Sequence, residues 1–148
     1  MTTVTKPADR PPVTSTGVAL SSIGSTLQKT LVFEVLVILG NSLGALAMIG
    51  AAYGMATQDH FTGASLYFGY LADGVPAALF AAAAVLTAVV AVSTWKMLNA
   101  ANSGDIAMLR QLSSPGWAVV AVVASWVVPG IALRKVNAAI RELGSQSR

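Results

Sequence analysis

Two apolar runs restrict the folds open to this chain more than any other feature. Residues 31–55 contain one charged side chain, Glu34, and residues 74–95 contain none. At a rise of about 1.5 Å per residue, a helix over either run is long enough to span a hydrocarbon core of roughly 30 Å. The sequence therefore predicts an all-α integral membrane hairpin or bundle with two transmembrane helices.

The composition supports a lipid environment and excludes several classes of site. Hydrophobic residues make up 55% of the 148 residues and charged residues 10%, whereas soluble domains carry about 25% charge. The chain has no cysteine, and its one histidine, His60, lies in a polar loop, so we predict no disulfide and no metal site. We find no nucleophile–base pair and no glycine-rich phosphate loop, and we predict no enzyme activity and no cofactor. The basic residues are scattered and the net charge is only +3, so we predict no nucleic-acid binding.

Amphipathic and polar segments flank these runs. Residues 1–17 are rich in Pro and Thr and predict a disordered tail, which leaves 18–148 as a single helical membrane domain. An amphipathic stretch over 18–28 leads into the first span. Asp73 is predicted to cap the second span, with Pro76 in its first turn, and Asp105 to cap a short helix in the second loop.

The topology of a third apolar run, residues 117–133, is the open question. It is marginally long for a crossing, it contains Pro129, and an amphipathic surface helix over 134–143 follows it. The first loop has no Lys or Arg, whereas the other flanks are basic, so we place the N-terminus in the cytoplasm. A crossing would put four basic residues outside, and a re-entrant run would keep all nine inside. Because a short chain offers little cover for re-entrant backbone, we predict a Pro-kinked crossing, with the re-entrant alternative left open.

A stripe of small residues and two polar side chains stand out in the first span. The stripe recurs at steps of three and four and consists of Gly40, Gly44, Ala47, Ala51 and Gly54. Such stripes let helix backbones approach closely in lipid, either within the hairpin, where Ala81, Ala84, Ala88 and Ala91 offer a matching face, or between subunits.

The polar pair in this span is Glu34 and Asn41. We interpret Glu34 as a snorkelling or ion-paired flank near Lys29, with a proton-relay role as the alternative. Asn41 is expected to hydrogen-bond across helices to Thr87 or Ser93.

The stretch from Ser93 to Leu143 resembles the uncharacterised bacterial membrane domain family DUF4328 in the order and spacing of its Trp, Asn-Ala, Ser-Pro-Gly-Trp and Pro positions. The matching motif consists of Trp95, Ser114, Pro115, Gly116, Trp117, Trp126, Pro129 and Glu142. Members of that family commonly continue into a further span after the Glu-Leu pair, and here five residues follow it. The resemblance implies a bacterial membrane domain with no established activity, and with it a location in the bacterial inner membrane.

The function predicted from these features is that of a small multi-pass membrane module. We expect it to act as a structural or accessory element that packs in the bilayer with itself or with a larger membrane complex. The alternative is a small transporter or channel component that uses Glu34 and the bundle interior. These two alternatives differ in whether Glu34 has a part in the function.

Overall fold

A computed structural model describes residues 14–58, 62–113, 116, 119–121, 123 and 127–145. The all-α prediction is confirmed. The main helices are α1 (Thr14–Ala56), α2 (Ala64–Ser103), α3 (Ile106–Leu112) and α4 (Val127–Ser145). Two of them, over Gly17–Ala56 and Ala64–Ser103, are long and apolar enough to cross a membrane, with mean hydropathies of 2.0 and 2.4 in their most apolar windows.

Helices α1 and α2 form a long antiparallel hairpin. Three close approaches set its register, and they pair early α1 with late α2 and late α1 with early α2. At the start of α1, a Cβ atom built on Gly24 would lie 3.5 Å from the Asn102 side chain. In the middle of α1, a Cβ atom built on Gly44 would lie 3.3 Å from the Phe80 ring. Near the turn, a Cβ atom built on Gly69 would meet the flexible end of the Met55 side chain. The two helices therefore stay in contact along most of their length.

The helix ends differ from the predicted ones in two places. Helix α1 begins at Thr14, so residues 14–17 are helical although the predicted tail extends to 17; residues 1–13 lie outside the described part of the chain. Helix α2 begins at Ala64, well before the predicted start at 74, so Asp73 is not a cap and Pro76 lies inside the helix. The apolar and aromatic side chains from residue 66 to 71 continue the helix, and one lost backbone hydrogen bond is tolerated in such helices.

The connection from α2 to α3 is a short capped turn. Gly104 adopts a left-handed φ of 72°, and its N–H bonds back to the carbonyls at the end of α2. The Asp105 carboxylate then accepts a hydrogen bond of 2.9 Å from the Met108 N–H. The predicted cap at Asp105 is therefore confirmed, and α3 starts directly after the end of α2.

The best-packed core lies at the end of the hairpin where α1 begins, which we call the base. There the first third of α1, the last third of α2, α3 and α4 converge on one cluster. Its buried members are Ile23, Leu27, Val90, Met97, Ala100, Ala101, Leu109, Ala121, Leu133, Val136, Ile140 and Leu143. The opposite end of the hairpin contributes nothing to this cluster.

Helix α4 packs on the early part of α1, at the base. Val128 and Pro129, at its start, border a cleft together with Thr30 and Phe33 of α1. Further along α4, its buried residues belong to the core cluster that also contains Ile23 and Leu27 of α1. Helix α4 therefore lies at the base.

Pro129 lies in α4, which is continuous over Val127–Ser145 and includes both the end of the third apolar run and the predicted amphipathic helix over 134–143. Residues 117, 118, 122 and 124–126 of the third run lie outside the described part of the chain. The Pro-kinked crossing and its re-entrant alternative for residues 117–133 stay predictions.

Candidate functional site

The candidate site is a buried carboxyl between α1 and α2. Along α1, buried residues recur at steps of four, three and four, through Ile23, Leu27, Thr30 and Glu34, with exposed fractions of 4%, 0%, 6% and 0%. This spacing keeps all four side chains on one face of the helix. The face that builds the base core thus carries Glu34 into the helix interface.

Helix α2 meets Glu34 with the hydroxyl group of Thr94. Thr87 and Thr94 are seven residues apart, and both are completely buried. The Thr94 Oγ1 lies 3.1 Å from Glu34 Oε1 and 3.2 Å from the carbonyl oxygen of Val90. Thr87 Oγ1 donates to the carbonyl oxygen of Ala83 at 2.7 Å. Thr94 is therefore the direct partner of the carboxyl, on the adjacent helix.

The second carboxyl oxygen is the exceptional atom. Glu34 Oε2 is buried and has no hydrogen-bond partner within the described residues. The predicted snorkelling or ion pair with Lys29 is wrong, because Glu34 is fully buried while Lys29 is exposed. Five residues of helix rotate a side chain by about 140° relative to its predecessor, so the two groups point to different sides of α1.

Asn41 lies on the same face as Glu34, two turns further along α1. Its Nδ2 is buried and lacks a hydrogen-bond partner among the residues described. Thr87, one of the two predicted partners, donates its hydroxyl to the carbonyl oxygen of Ala83. Asn41 thus places a second polar atom in the hairpin interface.

The stripe of small residues largely faces away from α2. Gly44 is the member that meets α2, through Phe80. Gly40, Ala47 and Ala51 are exposed, and a Cβ added at Gly40 or Gly54 would have nothing within 4 Å. On α2, the predicted matching face divides in the same way, with Ala84 and Ala91 buried, Ala88 half-buried and Ala81 exposed. Packing between α1 and α2 instead uses the face of Glu34, Asn41 and Ala45, one helical position away.

Four residues of the family-like motif lie within the described part of the chain. Trp95 is 53% exposed, Gly116 and Glu142 are exposed, and Pro129 is buried. Ser114, Pro115, Trp117 and Trp126 lie outside the described residues, as does His60.

An open groove runs along α1 and α2 at the level of Trp95. It is lined by serine, glutamine and asparagine side chains at one end and by aliphatic and indole side chains at the other. The base also carries six basic residues, all of them exposed: Lys29, Lys96, Arg110, Arg134, Lys135 and Arg141. Between Lys29 and Lys96 the sequence has no Lys or Arg, so the basic residues of the described part of the chain all lie at the base.

The described residues contain no group of three or more His, Cys, Asp or Glu side chains that could hold a metal ion. Comparison with protein-family models, with curated proteins and with solved structures finds no match to this chain. The resemblance to DUF4328 accordingly stays a prediction.

The sequence analysis located Glu34 but missed its partner, Thr94. It ended the amphipathic stretch at residue 28, whereas the buried face continues through Leu27 to Thr30 and Glu34. The signal was present in the regular steps of four and three that begin at Ile23. Thr94 could be recognised only by its position opposite Glu34 in the hairpin.

Proposed function

We propose that this chain is a non-catalytic membrane module, in which a two-helix hairpin crosses the bilayer and a compact helical base lies on the cytoplasmic side of a bacterial inner membrane. The observation that carries the proposal is the contrast between the two ends. Only 11% and 22% of the most apolar windows of α1 and α2 are buried. Large side chains such as Leu43, Leu46, Tyr53 and Leu79 are 64% to 72% exposed. Apolar surface on this scale needs lipid or another membrane helix.

The positions of the charges support the proposed orientation. The exposed basic residues surround the base, whereas the turn between α1 and α2 lies in a long stretch of sequence without Lys or Arg. Basic residues near span ends favour the cytoplasm. With α4 returning to the base, both the start of α1 and the described end of α4 are on the cytoplasmic side.

Single cysteines test this topology without background, because the natural chain has none. We expect Gln58→Cys, next to the hairpin turn, to react with a membrane-impermeant maleimide in intact spheroplasts. Gln111→Cys on α3 and Ser145→Cys at the end of α4 should react only after lysis. Labelling of Ser145→Cys from outside, together with Gln58→Cys, would contradict the return of α4 and support a third crossing.

We propose further that the module acts by packing, with itself or with a larger membrane complex. Supporting this, the exposed face of α1 combines large apolar side chains with the small residues Gly40, Ala47 and Ala51, which allow a close approach by another helix. The native mass of the tagged chain, measured in nanodiscs formed directly from membranes, tests the idea. A single chain per disc, with no stoichiometric companion, would contradict it.

A transporter or channel component is the second candidate, and the buried carboxyl of Glu34 is the observation that favours it. Proteoliposomes containing the purified chain should then conduct ions or protons, and Glu34→Gln should abolish the flux. Flux that is absent, or that is unchanged by Glu34→Gln, would leave the packing module as the function.

A further inference from the structure

Glu34 has a feature that a packing role does not require. Its side chain is completely enclosed, yet Oε2 has no donor within the described part of the chain. A carboxylate can accept several hydrogen bonds, and an unsatisfied buried oxygen costs about 1–3 kcal/mol, more when the group is charged. A hydrophobic residue of similar size would pack at this position without that cost.

The hydrogen-bond geometry around Glu34 differs in how well it suits the ionised and the protonated forms of the carboxyl. The Thr94 hydroxyl has one proton and two acceptors in range, Glu34 Oε1 at 3.1 Å and the Val90 carbonyl oxygen at 3.2 Å. An ionised carboxylate would compete with Val90 for that single proton. A protonated carboxyl would instead donate from Oε1 to Thr94 Oγ1, while Thr94 donates to Val90. Both hydrogen bonds then form at once.

Charged groups on the surrounding helices do not reach this carboxyl. The basic side chains nearest in sequence or packing are Lys29 on α1, Lys96 on α2, and Arg134 and Lys135 on α4, and all four are exposed. None of them makes an ion pair with Glu34 within the described residues. An isolated buried charge is expensive unless it is paired, and a proton is the smallest ligand that removes the charge.

A cleft at the base lies close to Glu34 and could bring water near its carboxyl. A partly open cleft of about 250 Å³ is lined by Lys29, Thr30 and Phe33 of α1 and by Pro129 of α4. Thr30 is one helical turn before Glu34 on the same buried face. Water in this cleft would come within one turn of the carboxyl, from the side that carries the basic residues.

We propose that Glu34 is a proton-binding site, at which the carboxyl reversibly takes up one proton with Thr94 as its hydrogen-bond partner. Hard divalent cations take about six or more oxygen ligands, usually with several carboxylates, and the described residues contain no group of three or more His, Cys, Asp or Glu side chains. The proposal does not depend on the packing role, because reversible protonation is measured on the purified chain whatever its partners are.

Infrared difference spectroscopy of the full chain in nanodiscs tests the site without a probe that has to enter it. We expect the wild-type spectrum near neutral pH to contain the C=O stretching band of a protonated carboxyl, and Glu34→Gln to lose it. As the pH is raised the band should convert to carboxylate bands, and it should return on re-acidification. Asp73→Asn, a half-buried acid on α2, is the matched control and should leave the band intact.

Each other outcome overturns the proposal. Absence of the band at every pH in the wild type means that the carboxyl is always ionised. A band that no pH removes means a fixed structural proton, and a band that Na⁺ removes at constant pH, where K⁺ does not, means a metal-cation site.

If Glu34→Gln does not fold, the spectrum of Thr94→Val provides a second test. Removal of the hydroxyl should shift the frequency of the wild-type band, because the carboxyl loses its hydrogen-bond partner. An unshifted band would show that it arises from another carboxyl.

Discussion

The docking of α4 on the base gives the sharpest quantitative prediction, because α4 has the same residue type on both of its faces. Ile140 is 1% exposed within the core cluster, whereas Ile131 on the same helix is 50% exposed. Replacing a buried Ile by Ala costs about 2–5 kcal/mol. The same change at the half-exposed position costs about 1 kcal/mol or less, since less area is lost and Ala is the better helix former.

Hydrogen exchange measured by mass spectrometry on the full chain in nanodiscs reports this difference directly. A helix of 19 residues is marginal on its own, so the protection of α4 amides comes from packing on α1 and α2. A free-energy change of about 1.4 kcal/mol changes the opening equilibrium, and with it the exchange rate, tenfold. Ile140→Ala should therefore accelerate exchange in α4 by about thirty-fold to more than a thousand-fold. For Ile131→Ala we expect less than about tenfold.

The comparison between the two variants decides whether the packing of α4 is right. Equal acceleration by Ile140→Ala and Ile131→Ala, or none by either, would refute it. Faster exchange in α4 with Ile131→Ala alone would mean that the opposite face of α4 is the buried one. Amides over residues 64–75 of α2, remote from the base, serve as the internal reference and should not change.

Three pairs of substitutions probe the turns and the hairpin. Asp105→Ala should cost about 1 kcal/mol by removing the cap of α3, whereas Asp105→Asn keeps a capping oxygen; exchange in α3 measures both. Gly104→Ala should destabilise the base by about 1 kcal/mol or more, because Gly104 has a φ of 72°. Gly74→Ala should instead stabilise α2 by up to about 1 kcal/mol, because Gly74 lies inside that helix with open space around it. Thermal unfolding measures both changes. Gly44→Leu should push α1 and α2 apart at the Phe80 ring, so cysteines introduced on the two helices should no longer crosslink. Gly40→Leu should leave that crosslinking intact, because nothing lies within 4 Å of a Cβ at Gly40.

The outcomes that would contradict these predictions are equally specific. Asp105→Asn as damaging as Asp105→Ala would mean that charge, rather than capping, matters at that position. An unfolding temperature raised by Gly104→Ala would argue against the left-handed turn. Loss of native mass with Gly40→Leu, with the hairpin intact, would support the packing of the small-residue stripe against another chain.

Much of this architecture is predictable from the sequence because it depends on local patterns. Apolar length predicts the two long helices, and an Asp before an apolar-periodic stretch predicts the cap of α3 at Asp105. The start of α2 was harder to predict. The aromatic residues before Asp73 suit either a membrane-interface loop or a helix, and Pro76 suits either a first turn or a tolerated interior position, so the pattern alone favoured the shorter helix.

The roles of Glu34, Pro129 and the small residues depend on contacts between segments distant in the chain. By itself, the sequence determined an all-helical, strongly apolar chain with its positive charge at one end, because hydropathy and charge are sums over neighbouring residues. Only the tertiary structure decided that Glu34 meets Thr94, sixty residues away, and that α4 packs on the early part of α1. The physical reason is that each helix has several apolar faces of similar character, and the face that becomes buried is set by the register between helices rather than by either helix alone.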